Sequence, residues 1–308
     1  MKNVMLDGAA SPLGNRLAEF LADRPEVKRL VGIEAELSSD GSPEIETTAY
    51  EPDHRRQLEF MREYEIDTVI QCGVAPDRSG GPMKSEMADV IGTMRLGAAI
   101  GHADSPVRSW IVLSSSSVYP VNSNRPLFNH EGNKTLADED VLSTSLLEAE
   151  EYAADVARRA PHLNIAILRL QELIGLDVRG ALSSLFDQTL VPSVIGHDPV
   201  IQFLHIEDAV AAVSYAANLE LAGIYNVASR GVIRFDEFLA STRRQSFWLP
   251  PIEAGPLAPF AAMLGLPHIP DGLLDRLRFG HAIDTGKIEA AGFKASADQL
   301  DCAAVLRR

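Results

Sequence analysis

Val4-Met5-Leu6-Asp7-Gly8-Ala9-Ala10-Ser11-Pro12-Leu13-Gly14 is the stretch on which the reading of this chain turns. An apolar run enters a turn of small residues, and Leu13, Leu17, Phe20 and Leu21 then recur on one helical face. Gly8, Ser11 and Gly14, three residues apart between a strand and a helix, suit a dinucleotide pyrophosphate laid against a helix N-terminus. Gly8 permits the tight turn, and Gly14 lets the helix pack closely on the strand. Ser11 stands where a glycine would let phosphate approach the backbone, and it is also a good N-cap with Pro12 at the first helical position. Gly8, Ala10, Ser11, Leu13 and Gly14 are therefore candidate cofactor-binding residues; a capped helix without a ligand fits the same residues.

Outward from this turn the pattern repeats. Leu30-Val31-Gly32-Ile33, Thr68-Val69-Ile70, Trp110-Ile111-Val112-Leu113 and Ile165-Ala166-Ile167-Leu168 are apolar runs separated by amphipathic helical stretches. Strands apolar on both faces, alternating with helices, indicate a parallel sheet covered on both sides. The expected fold is α/β, a Rossmann-like doubly wound parallel sheet with a smaller C-terminal substrate-binding lobe. The sheet domain is assigned to 1–170, with 201–230 returning to it, and the lobe to 171–200 and 231–308. Six of the 18 prolines lie between Pro250 and Pro270, which marks an irregular or short-helical region. Glu34 ends the second strand 20 residues after Gly14. A carboxylate there can accept from both ribose hydroxyls and would repel a 2′-phosphate, which favours NAD over NADP.

The chain has 308 residues, with 28 Lys and Arg against 43 Asp and Glu, a net charge of −15. That balance argues against nucleic acid and anionic membrane as partners, because both are polyanions. The apolar fraction of 46% is that of a globular protein, and no run is long enough for a membrane span. Cys72 and Cys302 have no paired spacing, and the histidines no ligand spacing, so neither a disulfide framework nor a metal is expected. A cytoplasmic protein with a small-molecule substrate is the expectation.

Further segments complete a resemblance. They are Ile66-Asp67-Thr68-Val69-Ile70, Asp89-Val90-Ile91-Gly92-Thr93, Leu113-Ser114-Ser115-Ser116-Ser117-Val118-Tyr119 and Ile167-Leu168-Arg169. Phe203-Leu204-His205-Ile206-Glu207-Asp208, Gly223-Ile224-Tyr225-Asn226-Val227 and Asp284-Thr285 follow in order. The chain resembles the extended branch of the short-chain dehydrogenase/reductase superfamily, the NAD-dependent epimerase/dehydratase group, over nearly its whole length. The resemblance implies a bound NAD, with Gln71-Cys72-Gly73 in place of the group's His-Leu-Ala. It also puts Tyr50 where an adenine-binding Asp often stands, with Asp53 three residues later; Asp53, Cys72 and Gly73 join the candidate cofactor residues. It implies a homodimer paired through the segments around Met83–Gly101 and Leu142–Arg159. In the group, His205-x-x-Asp208 is mainly structural.

The main departure is catalytic. The group's Tyr-x-x-x-Lys moves a hydroxyl proton, the lysine lowering the tyrosine pKa. The register puts Leu142 and Leu146 at those two positions, and none of the six lysines has a tyrosine four residues before it. Ser115 matches the group's active-site hydroxyl, and Tyr119 is a candidate replacement acid. Three readings stay open: atypical or non-redox chemistry on a small molecule; a catalytically silent NAD- or ligand-binding pseudoenzyme; and a slow NAD-dependent oxidoreductase with Tyr119 or water as acid/base. Nothing in the spacing supports a Ser115, His205, Asp208 hydrolase triad.

Overall fold

The computed structural model describes residues 1–34, 46–49, 53–72, 84–124, 126–133, 135, 141–251 and 271–307. Gly73, Tyr50 and most of the proline-rich stretch lie outside the described residues, as do the side chains of Glu34 and Leu142.

Seven strands form one all-parallel sheet: β1 (Lys2–Asp7), β2 (Val27–Glu34), β3 (Glu46–Ala49), β4 (Thr68–Gln71), β5 (Ser109–Ser115), β6 (Asn164–Leu170) and, after four short strands outside the sheet, β11 (Gly223–Val227). Their order is β11-β6-β5-β4-β1-β2-β3. The chain winds one way from β1 to β3 and the other way from β4 to β11. The reversal lies between β1 and β4, where ligands bind in open sheets of this kind.

Residues alternate faces along each strand, as the two-residue repeat of a strand requires. Val4, Leu6, Ile111, Leu113, Ala166 and Leu168 pack with α1 (Pro12–Ala22) and with α5 (Ile206–Asn218). Met5, Trp110, Val112, Ile165 and Ile167 pack on the other face with α2 (His54–Glu63), α3 (Lys84–Ile100) and α4 (Val141–Arg159). The sheet is doubly wound, as the apolar runs predict. Apolar patterning marks no strand at Glu46–Ala49, yet one forms there. This short edge strand has a mostly polar sequence and pairs on one side only, with β2, so it lacks the signature of the central strands.

A second core gathers Phe186, Phe203, Phe235 and Phe238 with Leu273, Leu274 and Leu277. The Phe186 and Phe203 rings each lie 4.9 Å from that of Phe238. Around it run the short pairs β7 (Leu173–Ile174) with β10 (Leu204–His205), β8 (Leu190–Val194) with β13 (Gln245–Leu249), and β9 (Val200–Ile201) with β12 (Ile233–Arg234). Helix α6 (Phe235–Ser241) and the helix Asp271–Phe279 close it. Ile288 and Phe293, from the stretch assigned to the lobe, pack instead in the sheet-side core.

Asp208 ties the two parts together. Its carboxylate accepts from Ser229 Oγ (2.8 Å), from Ser296 N (2.8 Å) and Oγ (2.7 Å), and from Ala297 N (3.1 Å). Glu207 N–H donates to His205 Nδ1, which caps α5. Both His205 and Asp208 are framework, as the resemblance implies.

Cys302 is fully buried in the lobe core, and burial pushes its thiol up to about 12 from the ordinary 9.0. A raised pKa in the folded state keeps its stabilising effect below the unfolded value and loses it as pH rises. Urea midpoints are therefore expected to fall as pH rises above about 9, and to fall less steeply in Cys302→Ala than in the wild type. Parallel slopes in the two proteins would contradict this account.

Candidate functional site

The candidate residues line up along the C-terminal edge of the sheet, in strand order. Glu34 ends β2, Gly8 follows β1, Cys72 follows β4, and Ser115 ends β5. Parallel strands end on the same side, so the topology alone collects them.

At the β1–α1 turn, Gly8 has φ +82° and its N–H donates to Ile33 O. A left-handed φ is cheap only for glycine. A Cβ on Gly14 would stand 2.1 Å from Gly8 O, so the helix approaches the turn to a distance that only glycine permits. Ser11 caps α1: its Oγ accepts from Gly14 N at 3.0 Å, and Pro12 occupies the first turn. The shape is that of a dinucleotide turn, and it fits such a group. The donor supply is reduced, because Pro12 has no N–H and Gly14 N–H is given to Ser11. Cys72 is buried, and its N–H donates to Asp7 O at 2.8 Å. Asp53 is brought to no ligand-facing position that the structure defines; its carboxylate caps α2 by accepting from Arg55 N at 2.9 Å.

At the β5 end, Ser115 is 2% exposed and caps a single 3₁₀ turn, Ser116–Val118. Its Oγ accepts from Ser117 N (3.1 Å) and donates to Ser117 Oγ (3.0 Å). Ser117 Oγ in turn accepts from Arg276 Nη2 at 3.0 Å. Arg276 Nη1 donates to Glu172 Oε2 at 2.8 Å, a largely buried ion pair. Ser116 faces the other way. Its Oγ donates to Gln171 Oε1, and its carbonyl meets His281 Nε2 at 3.1 Å. Beside His281 opens a cleft of about 370 Å³ lined by Asn129, Arg278 and residues 122–123 and 126–127.

Tyr119 points into the fold and is fully buried. Its hydroxyl donates to Asn226 Oδ1 and accepts from Arg169 Nη1, both at 2.8 Å. Burial raises its pKa above the ordinary tyrosine value, and the Arg169 charge and hydrogen bonds offset this only in part. A buried, protonated hydroxyl with both roles taken has no route to a substrate in this arrangement, which removes the geometric basis for the replacement-acid reading. Arg169 also forks onto Glu150, Nη2 to Oε2 at 2.6 Å, with both side chains almost fully buried. Burial by itself would lower the Arg169 pKa; Glu150 outweighs it and holds the guanidinium above its usual range. Ser114 Oγ donates to Glu150 Oε1, so the pair is anchored one residue before Ser115.

Leu146, at the position of the group's lysine, is 1% exposed and packs with Val118, Tyr119, Ala149, Ala228 and Ile283. The cation that attends the serines, Arg276, comes from the lobe. Local sequence carries no sign of that residue's role, because it lies 159 residues from Ser117. Among the described residues, no group of three His, Cys, Asp or Glu side chains could hold a metal ion.

The NAD dependent epimerase/dehydratase family description matches residues 4–228, and the chain belongs to that family. An uncharacterized protein of Mycobacterium tuberculosis (strain ATCC 25618 / H37Rv) is 30% identical over 250 residues, 79% of this chain and 66% of the relative. Among solved structures, UDP-N-acetylglucosamine 4-epimerase from Bacillus cereus superimposes with TM-score 0.73 at 16% identity, with 100% of each chain covered. UDP-glucuronic acid 4-epimerase from the same organism, in complex with NAD, gives 0.70 at 15% identity over 98% of this chain and 96% of that one. At these identities the likeness is one of fold.

Arg169→Met would leave Glu150 buried and unpaired. It is expected to cost about 3–5 kcal/mol in urea denaturation, more than the double variant Glu150→Met with Arg169→Met. A loss below about 1 kcal/mol would show that the pair is not a framework element.

Proposed function

We propose that this chain binds NAD at the Gly8–Gly14 turn and acts on a small molecule at the adjoining sheet edge by atypical or non-redox chemistry. The observation that carries the cofactor reading is the close approach of Gly14 to Gly8 O, the tight glycine turn at a helix start against which a pyrophosphate is laid in dinucleotide folds. NAD, when bound, supplies hydride acceptance and return at its nicotinamide ring. Ala10, Ser11 and Leu13 would lie along the pyrophosphate, with Cys72 beside them; Glu34 and Gly73 join them as cofactor residues by their places in the sequence alone, while Asp53 is occupied as the cap of α2. A 4-epimerase and a 4,6-dehydratase crystallised with NAD on the same fold support this reading.

The chemical end lacks a proton relay. Leu146 cannot bind a ribose hydroxyl or lower a neighbour's pKa, and Tyr119 is held protonated inside the fold. Protons must come from the serine hydroxyls or from water. A missing general acid/base typically slows such a step by about 10² to 10⁴. Rearrangement, elimination or cyclisation therefore suits the site better than rapid hydride shuttling. The buried Leu146 cluster equally favours a second reading, a catalytically silent ligand-binding protein.

Calorimetric titration with NAD tests the cofactor. Binding in the micromolar to low millimolar range is expected, because Ser11 Oγ competes with the pyrophosphate for Gly14 N–H. Ser11→Gly should tighten binding about three- to tenfold, since the cap is lost at only a few tenths of a kcal/mol. Gly14→Val should abolish it. No binding at millimolar NAD would sink the proposal, and mass spectrometry of co-purified small molecules would then identify the true ligand. A substrate panel followed by product analysis separates the enzyme from the silent reading.

Pairing as a homodimer through α3 and α4 belongs to the same reading; these helices pack along each other and expose Ile91 and Met94. Light scattering should give twice the 33.4 kDa chain mass; a monomer at micromolar concentration would refute it. A reducing cytoplasm is the proposed location, supported by two buried cysteines that form no disulfide. No described helix is long and apolar enough to cross a membrane.

A further inference from the structure

We infer that Ser117, and not Ser115, is the hydroxyl that the β5 end of the site presents to a ligand, that Arg276 makes it a donor, and that its partner is an acceptor oxygen such as a neutral carbonyl. This deepens the reading of the sheet edge as the ligand site and rests on it.

Hydrogen-bonding capacity sets the direction. A serine hydroxyl has one proton to give and two lone pairs to receive. A guanidinium only donates, so Ser117 Oγ must accept from Arg276 Nη2. Ser115 Oγ already accepts from Ser117 N–H. The two hydroxyls share one further bond of 3.0 Å. If Ser115 gives its proton to Ser117, both lone pairs of Ser117 are filled and its own proton is left over. Ser117 is half-buried, so that proton can reach a ligand. The reverse direction leaves the spare proton on Ser115, which is 2% exposed and has no other acceptor among the described residues. An unmet buried donor is disfavoured, so the first direction holds.

Arg276 thus decides the polarity of the pair. Without its N–H, Ser117 would have a lone pair open and could receive from an alcohol or amine as readily as it gives. With it, the pair can only give. Glu172 fixes Arg276 from behind. Its Oε1 accepts from Ser183 N, and a Cβ on Gly180 would lie 2.4 Å from its Cγ, so the carboxylate is clamped in place. Because Glu172 balances the guanidinium charge, an uncharged carbonyl oxygen suits this donor better than a second anion.

The native cysteines are both buried, which permits a thiol test. Ser117→Cys and Ser115→Cys are alkylated with iodoacetamide at near-neutral pH, each first shown to melt as the wild type does. The Ser117→Cys thiol should react at least about tenfold faster, being accessible and beside a cation that favours thiolate. Adding Arg276→Gln should slow that thiol severalfold. Equal rates in the two single variants, or a Ser117→Cys rate indifferent to Arg276, would overturn the assignment. Neutron density of the unaltered protein needs no substitution. It should place the Ser117 deuteron away from Ser115, and a deuteron bridging from Ser117 to Ser115 would overturn the polarity. Neither measurement involves NAD. Slow alkylation of Ser117→Cys, in a protein that binds NAD, therefore removes this assignment alone. Fast alkylation in one that does not bind NAD removes the cofactor reading alone.

Discussion

The Arg169–Glu150 ion pair is the constraint around which the chemical end of this molecule is built. Two charges are held in the interior between β6 and α4, where they are tolerated only because nearly every donor and acceptor is met. Ser114 closes one side of the carboxylate and Tyr119 one side of the guanidinium. Asn226 Oδ1 accepts from the tyrosine hydroxyl, and its own amide N–H donates to Asn129 O. Strands β5 and β6 meet α4 there and β11 joins through Asn226, and none can shift without leaving a buried polar group unpaired. The pair ties α4 to β6 directly, through Glu150 on the helix and Arg169 on the strand. Anchoring of the helix and chemistry on the helix are separate functions of different residues.

The two ends of the site follow different logic. At the β1–α1 turn the backbone has the shape of a dinucleotide site, while the side chain of Ser11 takes up one of the amides such a ligand uses. At the β5 end the fold is again that of the family, but the charged group comes from another direction. On the proposed register a leucine packs where α4 would carry a lysine, and the helix Asp271–Phe279 brings Arg276 to the serines. Arginine cannot give up its proton at any ordinary pH, so the change exchanges a proton relay for a fixed donor.

Composition had narrower consequences. A net charge of −15 in a protein whose site holds the balanced pair Arg276–Glu172 leaves no strong field to draw in an anionic ligand. Recognition then rests on oriented hydrogen bonds and on shape.

The sheet was legible from the sequence because burial on both faces demands uninterrupted apolar strands, and the Gly8–Gly14 turn because glycine spacing reports backbone geometry directly. The edge strand Glu46–Ala49 was not, since a strand paired on one side can be polar. The inward turn of Tyr119 was not legible either. Its partners Arg169 and Asn226 lie 50 and 107 residues away, and a motif does not say which way a side chain points. Amino-acid order by itself determined the fold, the family, the shape of the β1–α1 turn and the absence of any lysine four residues after a tyrosine, all of which are local in the chain. Only the tertiary structure decided which hydroxyl is left with a proton to give and which cation attends it. Those depend on residues brought together across 159 positions, and on hydrogen-bond capacities that have no meaning until the partners are in contact.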